Sequence, residues 1–289
     1  MIIEEFRKYL SLHDLGKKRW HHVKKYVLFC QEKGYDYLQI TYSQLQDYFL
    51  SVKGKSSNAS TYNMYVWEIR LFYKFLVESE RAPEIILETL KKMKPQKVER
   101  KIKAYVTKEE LSSILHMAET FCTYMDITKM RALMYFMFFT GLRKGEILNL
   151  RRSDIDLEKR TVIVKTPTKN KIERVVPFPK RIAPVGKHKA IDFVQLLKDY
   201  FTIEGEISNA FNMSDMKFTF LFKSLEEYSP EKKLTPHLMR HSFARMLAKH
   251  GIDSRVAQKL LGHKDIATTM IYYDPDIDTI QDLYNEKIK

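Results

Sequence analysis

Six polar side chains spread between positions 143 and 272 are of the types needed to handle a phosphate: Arg143, a lysine from a turn near position 169, His237, Arg240, His263 and Tyr272. Two guanidinium groups can clamp the non-bridging oxygens of a phosphodiester through charge-assisted, bidentate hydrogen bonds. Charge grows on those oxygens as a pentacovalent phosphorane forms, so such a clamp holds the transition state more tightly than the ground state. A phenol can attack through its oxygen when a neighbour takes its proton. A lysine on a turn can protonate the departing alkoxide. This set moves a phosphoryl group with no metal and no cofactor. No glycine-rich loop runs into Lys-Ser/Thr, so nucleotide hydrolysis has no support. His237 and His241 stand four apart, a zinc-ligand spacing on a helix, yet the metalloprotease glutamate and any nearby cysteine are missing, so no metal site is expected.

These residues need elements to hold them. Leu234-Thr-Pro-His-Leu-Met-Arg-His-Ser-Phe243 reads as a helix entry, with Thr235 as N-cap and Pro236 in the first helical position. His237 and Arg240 then share one face beside the positive end of the helix dipole, a natural seat for an anion. Gly262 breaks the next pattern, His263 follows, and a short helix is expected from about Asp265. On that helix Ile266, Met270 and Tyr273 form an apolar face; Asp265, Thr268, Thr269 and Tyr272 form a polar one. Tyr273 therefore reads as core and Tyr272 as a phenol on the polar side. Thr140-Gly-Leu-Arg-Lys-Gly-Glu-Ile-Leu-Asn-Leu150 is a glycine turn entering a short helix, where Glu146, three after Arg143, can orient a neighbouring cation. Thr161–Lys165 and Ile172–Val176 alternate as a strand pair, and the turn between them places Lys165, Lys169 and Lys171 near a hairpin tip. Thr107-Lys-Glu-Glu110 is a capping box, and a buried helix is expected over about Lys129 to Phe139. The remainder to about Asp282 reads as helical, less regular between Thr202 and Ser229.

The first 90 residues read as all-helical. Helices are expected over Ile3–Leu10, about Lys17–Lys33 with Gly34 as the stop, about Ser43–Val52, and about Thr61–Glu78 capped by Ser60 or Thr61. The last has a seam of Tyr62, Tyr65, Ile69, Phe72 and Leu76, and an opposite face carrying Asn63, Arg70 and Lys74, which could lie on a phosphate backbone. Residues 91–103 then hold seven basic side chains against one acid, with Pro95 in the middle, and read as a basic tether between two domains. A net charge of +14 and a pI near 9.5 favour a polyanionic partner, nucleic acid ahead of membrane. Two distant cysteines, Cys30 and Cys122, argue against a disulfide and for a reducing compartment. The acidic, amphipathic start is not a signal peptide. The longest apolar run, Ala132 to Leu142, is about half the ~20 residues that a membrane span needs. A soluble, cytoplasmic protein is expected.

Taken in order, Thr140-Gly-Leu-Arg143-Lys-Gly-Glu146-Ile-Leu, the hairpin ending in Arg174-Val-Val-Pro177, His237-Leu-Met-Arg240-His-Ser-Phe-Ala and Leu260-Leu-Gly-His263 with Tyr272 nine residues on resemble the boxes of the tyrosine recombinases of the phage integrase family, in their compact two-domain, Xer-like form. The resemblance implies a mainly α fold: a helical, SAM-like core-binding domain over residues 1–90, a basic linker over 91–104, and a mixed, mostly helical catalytic domain with a small antiparallel sheet over 105–289. It implies site-specific DNA recombination through a 3′-phosphotyrosine, without ATP or metal. Tyr272 would be the nucleophile and Arg143 and Arg240 the phosphate clamp, with Lys169 as the acid on the 5′ oxygen. His237 would assist proton transfer at the tyrosine, His263 would bond the phosphate, and Glu146 would support the site. Counting back five positions from Arg174 gives Lys169, with Lys165 and Lys171 as alternatives. DNA contacts are expected from Arg70, Lys74, Lys97, Arg100, Lys101 and Lys103, with the two domains closing on duplex DNA as a clamp. The expected partners are a double-stranded, inverted-repeat core site and further copies of the chain, two on a site and four in a synapse, working at the nucleoid. A short helix over about Ile277–Lys287 is expected to follow the tyrosine. Relaxation of DNA in the manner of a type IB topoisomerase, or DNA binding without cleavage, are the competing expectations.

Overall fold

The computed structural model describes residues 2–16, 19–55, 58–98, 104–121, 126–165, 173–183, 190–229 and 231–273. The chain divides into two compact units, Met1–Lys101 and Ile102–Lys289, each with its own apolar core.

The N-terminal unit is built from α1 (Ile2–Leu12), α2 (Trp20–Lys33), α3 (Tyr42–Lys55), α4 (Ala59–Glu78) and α5 (Ile85–Lys91). Gly34 ends α2 in the left-handed conformation, φ 68°, with its N–H on the last carbonyls, as the sequence predicts. The N-cap of α4 lies earlier than Ser60 or Thr61. Asn58 is extended and its side-chain oxygen accepts from Ser60 N at 2.9 Å, so Asn outranks the hydroxyl residues that follow it. Tyr62, Val66, Ile69, Phe72, Tyr73 and Leu76 carry the buried stripe of α4. α5 was not expected. Its Ile86 and Leu90, together with Met93 beyond it, pack into the same core, so the first residues of the basic stretch belong to this unit.

That packing changes what the opposite face of α4 does. The Arg70 guanidinium donates to the carbonyls of Leu90 (3.1 Å) and Met93 (2.7 Å), satisfying the end of α5. The Asn63 side chain holds Gln96 by both its N–H and its C=O. Arg70 is thus turned onto carbonyls of its own chain. Lys74 stays exposed beside Glu78, and Lys97 is exposed. Arg100, Lys101 and Lys103 lie outside the described residues.

The C-terminal unit opens on α6 (Lys108–Phe121), whose capping box forms as written: Glu110 N donates to the Thr107 hydroxyl oxygen and Thr107 N to the Glu110 carboxylate. α7 (Ile127–Thr140) forms the axis of the unit, with α9 and α11 against it. From Ala132 to Phe139 its sequence is apolar at every position and is buried all round, while Lys129 and Arg131 in its first turns stay partly exposed and pair with Glu204 and Glu119. α8 (Lys144–Leu148) and a one-turn 3-10 helix (Arg152–Asp154) lead into an antiparallel sheet ordered β1 (Ile155–Asp156), β2 (Thr161–Val164), β3 (Arg174–Pro177). Val162 pairs with Val176 and Val164 with Arg174, so Arg174 shares the buried face with the valines. A two-stranded ladder, β4 (Arg181–Ile182) with β5 (Ile191–Asp192), precedes α9 (Phe193–Glu204).

α10 (Asp215–Glu226) overturns the irregular reading of Thr202–Ser229. Ser214 caps it, and Phe218, Leu221, Phe222 and Leu225 recur at helical spacing on its buried side. Then come α11 (Pro236–Lys249), α12 (Ser254–Leu261) and α13 (Ala267–Met270). The helix expected over Ile277–Lys287 lies outside the described residues. Among the described residues no helix is long and apolar enough to cross a membrane.

Candidate active site

Three guanidinium groups, brought from three separate elements, meet at the end of one short helix. α12 stops at Gly262, φ 63°, and the carbonyls of its last turn have no partner within the helix. Arg174 Nε donates to Leu260 O at 2.8 Å, Arg240 Nη2 to Leu261 O, and Arg143 Nη2 to Gly262 O at 3.0 Å. Successive carbonyls at the negative end of a helix thus align three cations from β3, α11 and the start of α8. Gly262 is required there twice over. Its backbone is left-handed, and a Cβ would stand 3.0 Å from Arg174 Nη1.

Glu146 keeps this cluster together. Its carboxylate accepts both Arg174 Nη1 (2.9 Å) and Nη2 (2.7 Å), and also Arg143 Nη1 (2.9 Å) and the Arg143 backbone N–H (2.8 Å). Burial opposes ionisation of this carboxyl. The bonds and charge of Arg174, joined by those of Arg143, outweigh it and hold the group at about 2. Arg240 is the most enclosed of the three arginines, 5% exposed, with Nη1 on Gly141 O at 2.8 Å. Burial and then the charge of Arg143 lower it to about 9, which leaves it a cation at neutral pH. Gly141 closes α7 at φ 60° and lies so near Phe243 that a Cβ would approach Cδ1 to 2.3 Å.

Thr235 caps α11 from Leu238 N with Pro236 behind it, as predicted. Arg240 faces inward, whereas His237 is exposed in the first turn. The side chain that reaches Tyr272 is His241: its Nδ1 is hydrogen-bonded to the Tyr272 hydroxyl. One turn further on, Arg245 Nη1 donates to the Tyr272 carbonyl at 3.1 Å. α11 therefore grips Tyr272 by side chain and by backbone, and the imidazole on its hydroxyl is that of His241, with the His237 ring 6.5 Å from the His241 ring.

Four of the seven side chains assigned to faces around α13 lie opposite to the sequence reading, while Asp265 and Thr268 are exposed as expected and Tyr273 is partly buried. Thr269 is fully buried and Tyr272 is 6% exposed, while Ile266, Met270 and Ile271 face outward. Tyr273 is half-buried and its hydroxyl donates to Ile252 O at 2.6 Å. The inward polar groups are satisfied one by one: Thr269 Oγ1 is bonded to His263 Nδ1 at 2.8 Å, and Tyr272 to His241. Hydrogen bonds to fixed partners decide the orientation of this single turn, because four residues have too little apolar area to decide it. Burial pushes the Tyr272 phenol up to about 12, with the charge of Arg240 opposing.

Of the lysines, Lys165 is tied to Asp154 at 2.5 Å, and Lys169 and Lys171 lie outside the described residues. Among the described residues no group of three or more metal-ligating side chains forms.

The profile of the phage integrase family matches residues 104–278, the span that holds this whole cluster. The chain belongs to that family. It is a tyrosine recombinase of Xer-like form. The tyrosine recombinase XerA of Thermococcus kodakarensis is 29% identical over 274 residues, covering 94% of this chain and 89% of its own. Among solved structures, the Tn1549 transposon integrase in complex with a circular intermediate DNA superposes with a TM-score of 0.71 at 18% identity, covering 99% of both chains. XerH bound to palindromic difH substrate in a post-cleavage complex gives 0.68 at 19%, covering 93% of this chain and 77% of that one. At such identities these structures establish the fold of the recombinase, with its small antiparallel sheets among helices.

Two members of the cluster escaped the sequence reading as site residues. Arg174 alternates with Val176 on the buried face of β3, and a cation at a core position of a strand demands a carboxylate. His241 lies four residues after His237, hence on the same face of α11, and next to Arg240.

Proposed function

We propose that this recombinase cuts and rejoins duplex DNA at a specific inverted-repeat site through a covalent 3′-phosphotyrosine. The Tyr272 oxygen attacks the scissile phosphorus, the bond from phosphorus to the 5′ oxygen breaks, and a 5′-hydroxyl leaves. Arg143 and Arg240 hold the non-bridging oxygens, where charge rises in the transition state. His263 and His237 donate to the same phosphate, the latter from the first turn of α11. Lys169 delivers the proton to the departing 5′ oxygen. Glu146 and Arg174 set the positions of the clamp. The phosphotyrosine conserves the energy of the broken ester, so a 5′-hydroxyl from a second strand reseals the backbone with no ATP. Two copies on each site and four in a synapse give every strand its exchange partner. The exposed Lys74 and Lys97, with Arg100, Lys101 and Lys103 of the connector, neutralise DNA phosphates and give binding its salt dependence. The protein works in the cytoplasm, on nucleoid DNA.

The observation that carries this reading is the convergence of Arg143, Arg174 and Arg240 on carbonyls 260–262, with Tyr272 held on the same helix as Arg240. Tyr272 and Arg240 are both covered in the unbound chain, so uncovering them is a step tied to DNA binding. The test is a nicked suicide duplex carrying an inverted repeat taken from DNA that flanks the gene. The full chain should form a denaturation-resistant adduct, and Tyr272→Phe should form none. An adduct that persists in Tyr272→Phe, or none from the native chain on any such site, removes the proposal.

A further inference from the structure

Tyr272 carries a proton at neutral pH, and that proton has to go somewhere as its oxygen attacks phosphorus. The site offers several basic groups, but their placement differs. Arg143, Arg174 and Arg240 are cations with no proton-accepting atom. His263 has its Nδ1 on Thr269. His237 stands in the first turn of α11, its ring 6.5 Å from that of His241. The His241 Nδ1 alone among these is on the Tyr272 hydroxyl, with ring centroids 5.5 Å apart and the planes inclined by 39°. The placement is held from the backbone as well, because Arg245 on the same helix fixes the Tyr272 carbonyl at 3.1 Å.

We propose that His241 is a catalytic residue of this recombinase, the base that takes the tyrosine proton at Nδ1 during cleavage and returns it during rejoining. The inference rests on Tyr272 being the nucleophile. In the forward step the Tyr272 O–H bond breaks, its proton moves to Nδ1, and the oxygen forms the bond to phosphorus. The bond from phosphorus to the 5′ oxygen breaks, and that oxygen takes a separate proton from the acid of the site. His241 is then an imidazolium beside a phosphotyrosine. In the reverse step the 5′-hydroxyl attacks, the phenolate leaves and takes the proton back from Nδ1, and the imidazole is neutral again. Electrons and protons balance with nothing borrowed from outside the site. The neutral form needed at the start has its hydrogen on Nε2 and a lone pair on Nδ1.

The experiment is single-turnover cleavage of the suicide duplex, using one substrate with the ordinary 5′ oxygen and one with a bridging 5′ sulfur, a leaving group that needs no proton. His241→Ala should slow adduct formation about 100-fold or more on both substrates, in the range of a lost general base. Added imidazole should restore much of the rate. His241→Asn keeps a hydrogen-bond acceptor near the place of Nδ1 but has no useful basicity, and it should be as slow as His241→Ala, unrescued by sulfur. Lys169→Ala should instead recover on the sulfur substrate. Cleavage by His241→Ala at or above the native rate overturns the assignment. So does a native rate in His241→Asn, which would leave only a positioning role, and so does sulfur rescue of either variant, which would make His241 an acid. Absence of an adduct from the native chain tells against Tyr272 itself, and the two failures are thereby distinguishable. Circular dichroism of each variant excludes loss of fold as the source of a slow rate.

Discussion

Replacing Glu146 by alanine should cost the C-terminal unit about 3 kcal/mol. The carboxyl is held at about 2 against an ordinary value of 4.5, and each pH unit of difference corresponds to ~1.36 kcal/mol. The figure agrees with the roughly 3–5 kcal/mol lost when one partner of a buried ion pair is removed, and Arg174 and Glu146 are both buried. The sign follows from linkage. A depressed carboxyl contributes stability that is complete above about pH 4.5 and disappears as pH falls toward about 2. The native chain should therefore lose stability over that acid range, and Glu146→Ala should lack that part of the slope. Urea unfolding measures it. Both tryptophans, Trp20 and Trp67, belong to the N-terminal unit, so fluorescence follows that unit and far-ultraviolet circular dichroism adds the other. With a slope of about 3 kcal/mol/M, the C-terminal transition should move down by about 1 M while the fluorescence transition stays in place. A double variant, Glu146→Ala with Arg174→Met, should be less destabilised than the sum of its parts by about 1 kcal/mol or more, because the orphaned cation is gone. A midpoint shift under about 0.3 M, or strict additivity in the double variant, refutes the view that this carboxylate organises the cluster.

Gly141→Ala combines left-handed strain with a Cβ placed 2.3 Å from Phe243 Cδ1, and should lower Tm by at least about 4 °C in calorimetry. Gly145→Ala in α8 meets nothing within 4 Å and should leave Tm unchanged or slightly raised. Asn58→Ala should cost about 1 kcal/mol in urea unfolding of the N-terminal unit, and Ser60→Ala much less, since Asn58 provides the cap of α4. Lys165→Ala should leave suicide-substrate cleavage within a few-fold of native, because Lys165 is engaged with Asp154, whereas Lys169→Ala should reduce it by about 100-fold. Equal losses in the two lysine variants would remove Lys169 from its assigned role.

Local rules made much of the fold legible. Gly34 and Gly262 stop α2 and α12, Thr235-Pro236 starts α11, and Thr107 with Glu110 starts α6, each by a contact between near neighbours in sequence. What escaped depends on partners distant in sequence. The charged face of α4 looked like a surface for phosphates, but the chain folds residues 90–96 back across it, and Arg70 serves carbonyls 20 and 23 residues away. α10 is a different case. Its Ser214 cap and helical spacing were present in the sequence, hidden by the polar residues that precede it.

The site shows the same division more sharply. Arg143, Arg240, His263 and Tyr272 could be picked out by type and order, but nothing in their spacing tells that the arginines meet at carbonyls 260–262, or that β3 supplies a third. Thr269, Tyr272, Ile266 and Met270 were placed on the wrong sides because the rule that apolar residues face inward is an argument about area, and one turn of helix buries very little. There the larger quantity is the cost of leaving Thr269 or Tyr272 without a partner, about 1–3 kcal/mol for each buried hydroxyl. Both are paired, with His263 and His241. Met270 and Ile271 are left outside because no comparable cost holds them in. The inversion therefore has a chemical consequence. A nucleophile on the solvent side would meet water first, whereas one turned inward meets His241 and Arg245 of α11, and its reactivity depends on whether such a neighbour can take a proton.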